Sequence, residues 1–138
     1  GGLCAGVASA LKARKPSVRV VAVEPAGCPA LATALERGAP VTVACDTMCD
    51  GVAVPYITDE MLPLLSDLVD RVVLVEEEEV REAIRRLVHG NHVIAEGSGA
   101  LAVAAAARIP ASERGLTVAL VTGGSIDVSK LTEILATG

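Results

Sequence analysis

The sequence predicts an α/β fold, with three layers in which helices cover both faces of a mainly parallel sheet. β-branched runs alternate with segments of helical period, which implies right-handed crossovers between parallel strands. The hydrophobic share is 51%, with one Tyr and no Phe or Trp, so Val, Leu, Ile and Ala must fill the core. Such side chains suit close packing of helices on a sheet. The 138 residues show no linker or internal repeat, so we expect one domain, residues 1–138.

The first 40 residues predict two helices around a strand. Leu3, Val7 and Leu11 recur at helical spacing, and this period ends near Arg14. The β-branched run 18–23 is typical of a strand buried on both faces, and Glu24-Pro25 is expected to end it. A second helix is predicted from Pro29 to Arg37, closed by Gly38.

The middle of the chain predicts a loop, a helix, a strand and another helix. Residues 40–55 are irregular and indicate a functional loop with a short extended piece at 41–43. Thr58 is a plausible cap for the helix that follows, and residues 71–75 predict a second buried strand. The four acids 76–79 suit the amino terminus of a helix that ends at 89–92, and a cation site there is the less favoured alternative.

The last third predicts two helices and a third strand. A short apolar stretch at 93–95 leads into an alanine-rich helix from Ala100 to Arg108. The run 116–121 has the composition of a third buried strand. Asp127 or Ser129 is expected to cap a final helix that reaches about Leu135.

Charge and cysteine content exclude several classes of protein. The net charge is −5 and the basic residues are scattered, so no nucleic-acid partner is expected. No apolar run approaches the roughly 20 residues that span a bilayer, and no signal peptide is seen, so a cytoplasmic location is expected. The cysteines are then expected to be reduced, although Cys45 and Cys49 leave a zinc site with His89 and His92 as a minor alternative.

Four segments lie where a parallel sheet collects ligands, at strand ends and helix starts. Gly1-Gly2 offers backbone amides to a phosphate, and the turn 122–125 offers a hydroxyl and two glycines, although glycines that serve only the turn geometry are the favoured alternative in both segments. In the segment 96–99, Glu96 could face a ligand, but a helix cap is the favoured reading. The segment 46–51 carries two acids and a glycine, and a simple turn is favoured there.

A nucleophile or a general base is not evident in the sequence. The lysines are Lys12, Lys15 and Lys130, and all lie at polar positions on helices or their flanks. None follows a strand end that would direct an amine at the proposed phosphate loops. The chain therefore offers binding groups, and no catalytic residue is assigned to it.

The order of the motifs resembles that in the serine/threonine dehydratase family of pyridoxal-phosphate enzymes. Members of this family have the type II fold. The resemblance covers essentially the whole chain, and its motifs follow one another in family order. They are Gly1-Gly2-Leu3, Val20-Val21-Ala22-Val23-Glu24-Pro25, Asp46-Thr47-Met48-Cys49-Asp50-Gly51, Val69-Asp70-Arg71-Val72-Val73, Glu78-Glu79-Val80, Glu96-Gly97-Ser98-Gly99-Ala100 and Thr122-Gly123-Gly124-Ser125.

The resemblance implies a cofactor, pyridoxal 5′-phosphate, and assigns residues to it. Gly1, Gly2 and Leu3 match the end of the glycine loop that wraps the phosphate. Thr122, beside Gly123, matches the residue that hydrogen-bonds the pyridine nitrogen. Glu96 matches a glutamate near the cofactor ring, and Asp50 matches an acid in the substrate-side loop.

Two positions depart from the family pattern. Some members bind a divalent cation through the glutamate that matches Glu24, a carbonyl at Cys28 and an acid at position 30. Here Ala30 replaces that acid, so Glu24 is a weak metal ligand candidate. Ser125 stands where Asn is usual, which weakens any assignment of the substrate.

The resemblance also implies that the Schiff-base lysine lies in an amino-terminal half that this sequence does not include. We therefore expect the carboxy-terminal half of the catalytic domain of a lyase that deaminates a hydroxy amino acid, inactive by itself. A small amino acid is the expected substrate, and pairing with the missing half or self-association is the expected assembly. The alternatives are a non-catalytic binding or assembly module and a nucleotide-binding α/β domain, although the latter lacks a full G-x-G-x-x-G pattern.

Overall fold

The computed structural model describes residues 1–137. It contains two strands, seven α-helices and a short 3₁₀ helix at Asp50–Val52 within these residues. The strands are β1 (Val21–Pro25) and β2 (Arg71–Val75). The helices are α1 (Gly2–Arg14), α2 (Ala30–Arg37), α3 (Met61–Leu68), α4 (Glu77–Asn91), α5 (Gly97–Ala107), α6 (Ala111–Arg114) and α7 (Val128–Ala136).

The sheet is parallel, as predicted, and pairs β1 with β2 in register from Val21 opposite Arg71 to Pro25 opposite Val75. The predicted bounds of β2 are confirmed. Those of β1 are shifted, because Glu24 and Pro25 belong to the strand that they were expected to end. The ladder continues past the proline because the Ala26 N–H donates to the Val75 carbonyl at 2.8 Å.

The two faces of the sheet pack against different helices, which confirms the three layers. Ala22 and Val72 contact a cluster formed with α1, α2 and α3. Their neighbours Val23 and Val73 contact a second cluster, formed with α4, α5 and α7. Successive strand side chains point to opposite faces, so this alternation places one helical layer on each side.

The layer of α4 and α5 contains the larger part of the core. Val80 and Ile84 of α4 are fully buried, and they pack in one cluster with Ala100 and Leu101 of α5 and Ile134 of α7. Each of these larger side chains contributes about 1.5–3 kcal/mol through burial. The small alanines of α5 allow that helix to contact both β1 and β2.

The helix ends follow local signals. Gly38 closes α2 in the left-handed conformation, as predicted. At the start of α4 the Glu79 carboxylate accepts the Glu76 N–H at 2.8 Å, and Glu82 pairs with Arg86 at 2.7 Å, so the acidic run serves the helix. Among the residues described, no three potential metal ligands come together.

The buried face of α1 is formed by alanines and not by the leucines that mark its helical period. Leu3 is 65% exposed and Leu11 is 44% exposed, whereas Ala5 and Ala8 are buried. Alanine lets α1 approach its neighbours closely, and larger side chains would hold the helix away from α3. The helical period was right, but its apolar stripe is not the packed face.

The predicted third strand at 116–121 is wrong. Within the described residues this segment joins no sheet, and Leu116 and Val118 are 99% and 78% exposed. An apolar β-branched run becomes a strand only where another strand offers its backbone groups. The short extended piece expected at 41–43 also joins no sheet in this part of the chain.

The expectation of reduced cysteines is wrong for two of the four. Cys28 and Cys45 form a disulfide whose Cα atoms are 4.3 Å apart, while Cys4 and Cys49 are free. Because Cys45 is bonded to Cys28, the zinc alternative with Cys45 and Cys49 also fails. The disulfide joins the turn before α2 to the residue just before Asp46.

None of the helices in residues 1–137 combines the length and the apolar character that a membrane span requires.

Candidate functional site

Glu96 lies between α5 and the turn of residues 122–125. Its backbone N–H donates to the Gly123 carbonyl at 3.3 Å, and its carboxylate Oε2 accepts the Ser125 N–H at 3.0 Å. Glu96 occupies the N-cap position of α5, but its side chain makes no capping hydrogen bond. The favoured reading of a side-chain cap is therefore wrong, because the carboxylate bonds to a distant turn instead.

Glycine is required on both sides of this contact. A Cβ atom on Gly99 would overlap the carbonyl oxygen of Thr122, and one on Gly123 would overlap the Glu96 carboxylate. Gly123 also has a φ of 65°, which favours glycine. The segments 96–99 and 122–125, which the sequence indicated separately, thus form one site.

The loop of residues 46–51, hereafter the 46–51 loop, packs against the start of α5. A Cβ atom added to Gly97 would lie 3.2 Å from the Cys49 Sγ atom, and one added to Gly51 would lie 2.9 Å from the Ser98 hydroxyl oxygen. A third segment indicated by the sequence therefore joins the other two. Its end forms a 3₁₀ turn in which the Asp50 carboxylate accepts the Gly51 N–H at 3.2 Å, so the turn reading is confirmed.

Ser98 has a buried hydroxyl oxygen with no hydrogen-bond partner in the described part of the protein. It lies beside Gly51, and the same glycine approaches the Glu96 carboxylate. A buried polar atom without a partner is costly, by about 1–3 kcal/mol. This is the kind of atom that a bound polar group satisfies.

Two charged side chains hold the 46–51 loop from outside. The Glu77 carboxylate accepts the Thr47 hydroxyl at 2.5 Å and the Met48 N–H at 3.0 Å. The Lys130 ammonium donates to the Met48 carbonyl at 3.3 Å. Sequence reasoning missed both residues, since Glu77 lies in the acidic run and Lys130 at a polar helix position, and their partners are 29 or more residues away.

Cys49 is fully buried between the 46–51 loop and α5. Burial raises the pKa of its thiol to about 11, an effect that the hydrogen bond to Thr47 opposes. Glu77 raises this pKa further, and Lys130 lowers it. The thiol is therefore protonated and unreactive at neutral pH while the loop stays in place.

Gly1, Gly2 and Leu3 lie at the amino terminus of α1, where the first backbone N–H groups have no partner within the helix. Gly2 has open space around its Cα atom and Leu3 is exposed, so these amides are accessible. Gly1 packs against Leu65 and Met61 of α3, whereas Thr122 packs against α5. The two expected parts of the cofactor site thus lie on different elements, the start of α1 and the turn that packs against α5.

Glu24, the weak metal candidate, has another role in the structure. Its carboxylate oxygens accept the N–H groups of Leu31 and Ala32 at 2.7 and 2.9 Å, so it caps α2. Burial raises the pKa of Glu24, and these two hydrogen bonds oppose the rise. Each oxygen already accepts a backbone N–H of α2, so the position of the carboxylate is explained by the helix.

The arrangement suits a polar, anionic ligand better than a metal ion. It offers accessible amides on α1, a half-buried threonine at the 122–125 turn, a fixed carboxylate at Glu96 and the unsatisfied hydroxyl of Ser98. A phosphate fits free N–H groups at a helix start, and a ring nitrogen fits a hydroxyl. These residues fit pyridoxal phosphate.

Known proteins resemble the chain over most of its length. A family described as "Pyridoxal-phosphate dependent enzyme" matches residues 1–123. The chain is 39% identical to the L-threonine ammonia-lyase of Geobacter sulfurreducens over 100% of its own length and 35% of that protein. It is 34% identical to the catabolic L-threonine dehydratase of Escherichia coli K12, over 97% of its own length and 42% of that protein.

Solved structures agree with the sequence comparisons. The processed form of threonine deaminase isoform 2 from Solanum lycopersicum matches with a TM-score of 0.88 and 32% identity, over 100% of this chain and 42% of that one. Maize serine racemase matches with a TM-score of 0.85 and 31% identity, over 99% of this chain and 43% of that one. This chain spans less than half the length of each of these relatives. It belongs to the family of pyridoxal-phosphate dependent enzymes and has their type II fold.

Proposed function

We propose that the chain is the carboxy-terminal, cofactor-binding portion of the catalytic domain of a threonine or serine dehydratase-like lyase, and that it is inactive alone. The observation that carries the proposal is the contact of Glu96 with the 122–125 turn. It assembles two motifs of the family from distant parts of the chain. The names of the relatives, L-threonine ammonia-lyase and L-threonine dehydratase, support the reaction class.

Different residues of the chain would bind different parts of the cofactor. The free N–H groups of Gly2 and Leu3, together with the backbone nitrogen of Gly1, would bind its phosphate, since the start of a helix favours an anion. The Thr122 hydroxyl would hydrogen-bond the ring nitrogen, and Glu96 would lie near the ring, held by Ser125. Bound pyridoxal phosphate supplies an electron sink for the charge left at the substrate Cα when its proton is removed.

The overall reaction would convert a hydroxy amino acid to a 2-oxo acid and ammonia. The β-hydroxyl leaves as water after the Cα proton is removed, and water then releases the nitrogen as ammonia. Asp50 is exposed at the 3₁₀ turn beside Glu96 and Ser98, where we place it on the substrate side. Which hydroxy amino acid reacts would depend on side chains from the rest of the enzyme.

The proposed inactivity of the chain alone rests on its lysines. Lys12 pairs with Asp70 at 3.0 Å, and Lys130 donates to the Met48 carbonyl. Lys15 is exposed just after the end of α1. We assign the lysine that attaches the cofactor to an amino-terminal partner segment.

Complementation tests the proposal. The chain would be mixed with the amino-terminal half of the Geobacter L-threonine ammonia-lyase catalytic domain, and 2-oxo acid formation from threonine and serine would be followed. We expect activity in the mixture and none in either part. Thr122→Val, which removes the hydroxyl at nearly constant volume, should lower the restored kcat/KM by about tenfold. Thr117→Val is the matched control and should change little.

The proposal fails if the chain alone deaminates threonine, or if the mixture associates without gaining activity. A second candidate, an assembly module without catalysis, is favoured by the exposed apolar residues Leu116 and Val118. Sedimentation of the chain alone, together with the activity of the complementation mixture, distinguishes the dehydratase-like portion from the assembly module. A stable self-associated form that does not respond to the partner half would favour the assembly module.

A further inference from the structure

Met48 is held through both of its backbone polar groups by side chains of opposite charge. Glu77 of α4 accepts its N–H at 3.0 Å, and Lys130 of α7 donates to its carbonyl at 3.3 Å. Glu77 also accepts the hydroxyl of the preceding Thr47. Hydrogen bonds of backbone groups to charged side chains are about twice as strong as neutral ones. Two helices from different parts of the chain therefore fix one residue of the 46–51 loop, through the peptide groups on both sides of it.

The residues after Met48 are those that touch the candidate site. Cys49 packs on Gly97, and Gly51 approaches both the Ser98 hydroxyl and the Glu96 carboxylate. A shift of the Met48 backbone would move Cys49 away from Gly97, and Asp50 would move with it. Within residues 1–137, neither Glu77 nor Lys130 forms a hydrogen bond to Glu96 or to the 122–125 turn, so both would act through the loop.

We propose that Glu77 and Lys130 are positioning residues that clamp the 46–51 loop against the start of α5 and so set the substrate side of the site. The substrate role of the loop rests on the proposed function. The clamp itself rests on the hydrogen bonds of Met48 and on the packing of Cys49.

Cys49 provides a direct reporter of the clamp. Its thiol is fully buried and can react with an aromatic disulfide reagent only when the loop opens. The rate would be measured at constant pH in a Cys4→Ser background, which removes the other free thiol. We expect Glu77→Ala and Lys130→Ala each to speed the reaction by about tenfold or more, because each removes a charge-assisted hold on Met48.

The two variants separate clamping from simple electrostatics. Glu77 raises the pKa of the Cys49 thiol and Lys130 lowers it, so electrostatics alone would make Glu77→Ala faster and Lys130→Ala slower. The clamp predicts that both become faster and that Lys130→Arg largely restores the slow rate. A slower or unchanged rate in Lys130→Ala would overturn the proposal.

Glu78→Ala is the matched control, since it removes a neighbouring acid that pairs with Arg85 and does not touch the loop. Its rate should stay near that of the parent. Denaturant unfolding of every variant would show whether exposure of Cys49 exceeds what global unfolding explains. If Glu77→Ala fails to fold, Glu77→Gln serves instead, and an unchanged rate there counts against the clamp.

A second readout uses the complemented enzyme. Loss of the clamp should raise KM for the hydroxy amino acid by about tenfold and change kcat less, because the loop would bind substrate without supplying the reacting groups. A fall in kcat with KM unchanged would contradict the positioning role. If the parent mixture shows no activity, the proposed function fails, and the Cys49 rates still decide whether the clamp exists.

Discussion

The segments 71–75 and 116–121 are both rich in Val and Leu but have very different environments. In β2 each residue lies opposite a residue of β1, and Val75 is fully buried. In the second segment Leu116 is fully exposed and Val118 is largely exposed, although the run is as apolar as β2. Composition alone therefore does not decide whether a segment forms a strand. The segment also needs a neighbouring strand that hydrogen-bonds to its backbone.

The second segment is nevertheless anchored at its end. The Thr122 N–H donates to the Gly99 carbonyl at 3.4 Å, and Glu96 holds Gly123 and Ser125. The candidate site thus lies where the exposed segment meets the packed body. This arrangement suits a chain whose 116–121 run pairs with a strand from elsewhere, and it leads to three predictions.

The largest effect is expected from Gly99→Ala. Its methyl group would overlap the Thr122 carbonyl oxygen, so the turn 122–125 must move, at a cost of about 3 kcal/mol in the free energy of unfolding. Gly6→Ala is the matched control, because the Gly6 Cα faces open space within α1. That change should stabilise by about 0.5–1 kcal/mol. Denaturant unfolding measures both, and equal effects would show that the close approach does not exist in solution.

An intermediate effect separates the two apolar runs directly. Val75→Ala should cost about 2 kcal/mol in the free energy of unfolding, because it empties a fully buried position. Val118→Ala should change it by less than about 0.5 kcal/mol in the isolated chain. A comparable loss in both variants would mean that residue 118 is buried by self-association, which a concentration series would reveal.

The sequence predicts a structural feature well when the residues that determine that feature lie close together in the chain. The bounds of β2 and the end of α2 at Gly38 were predicted correctly, since a β-branched run and a left-handed glycine act within a few residues. The run 116–121 was predicted wrongly as a strand, because a strand needs a pairing partner from a distant part of the sequence, and the run itself does not show whether one is there.

The site shows the same division. Glycine and acid motifs marked the segments 46–51, 96–99 and 122–125, and the structure brings these three together. Sequence spacing could not show that Glu96 bonds to Ser125, 29 residues away, or that Cys28 pairs with Cys45. Those contacts depend on how the layers pack, and the sequence pattern carries no local sign of that packing.

The smallest effect on stability is expected from Asp70→Asn, at the residue just before β2. Asp70 accepts the Val20 N–H at 2.7 Å and pairs with Lys12, and these contacts lower its pKa below the ordinary value of 3.8. A carboxylate with a lowered pKa stabilises the fold above the ordinary pKa and loses this effect as the pH falls through the lowered value. Asp70→Asn should therefore be less stable than the parent at pH 6, and the two should converge well below pH 3.8.

Asp67→Asn is the control for this change, because it removes the same charge from an exposed aspartate of α3, three residues earlier in the chain. Unfolding midpoints from acid to neutral pH would show the trend. A difference between Asp70→Asn and the parent that grows as the pH falls would contradict the assigned contacts.

The most direct test of the central claim is to trap the cofactor and find the lysine that holds it. Pyridoxal phosphate would be added to the chain alone and to its mixture with the amino-terminal half, followed by borohydride reduction, dialysis and peptide mapping. The account predicts that the mixture retains a reduced cofactor on a lysine of the added half, and that the chain alone retains none. A cofactor that survives dialysis and is reduced onto Lys12, Lys15 or Lys130 of the chain alone would contradict it.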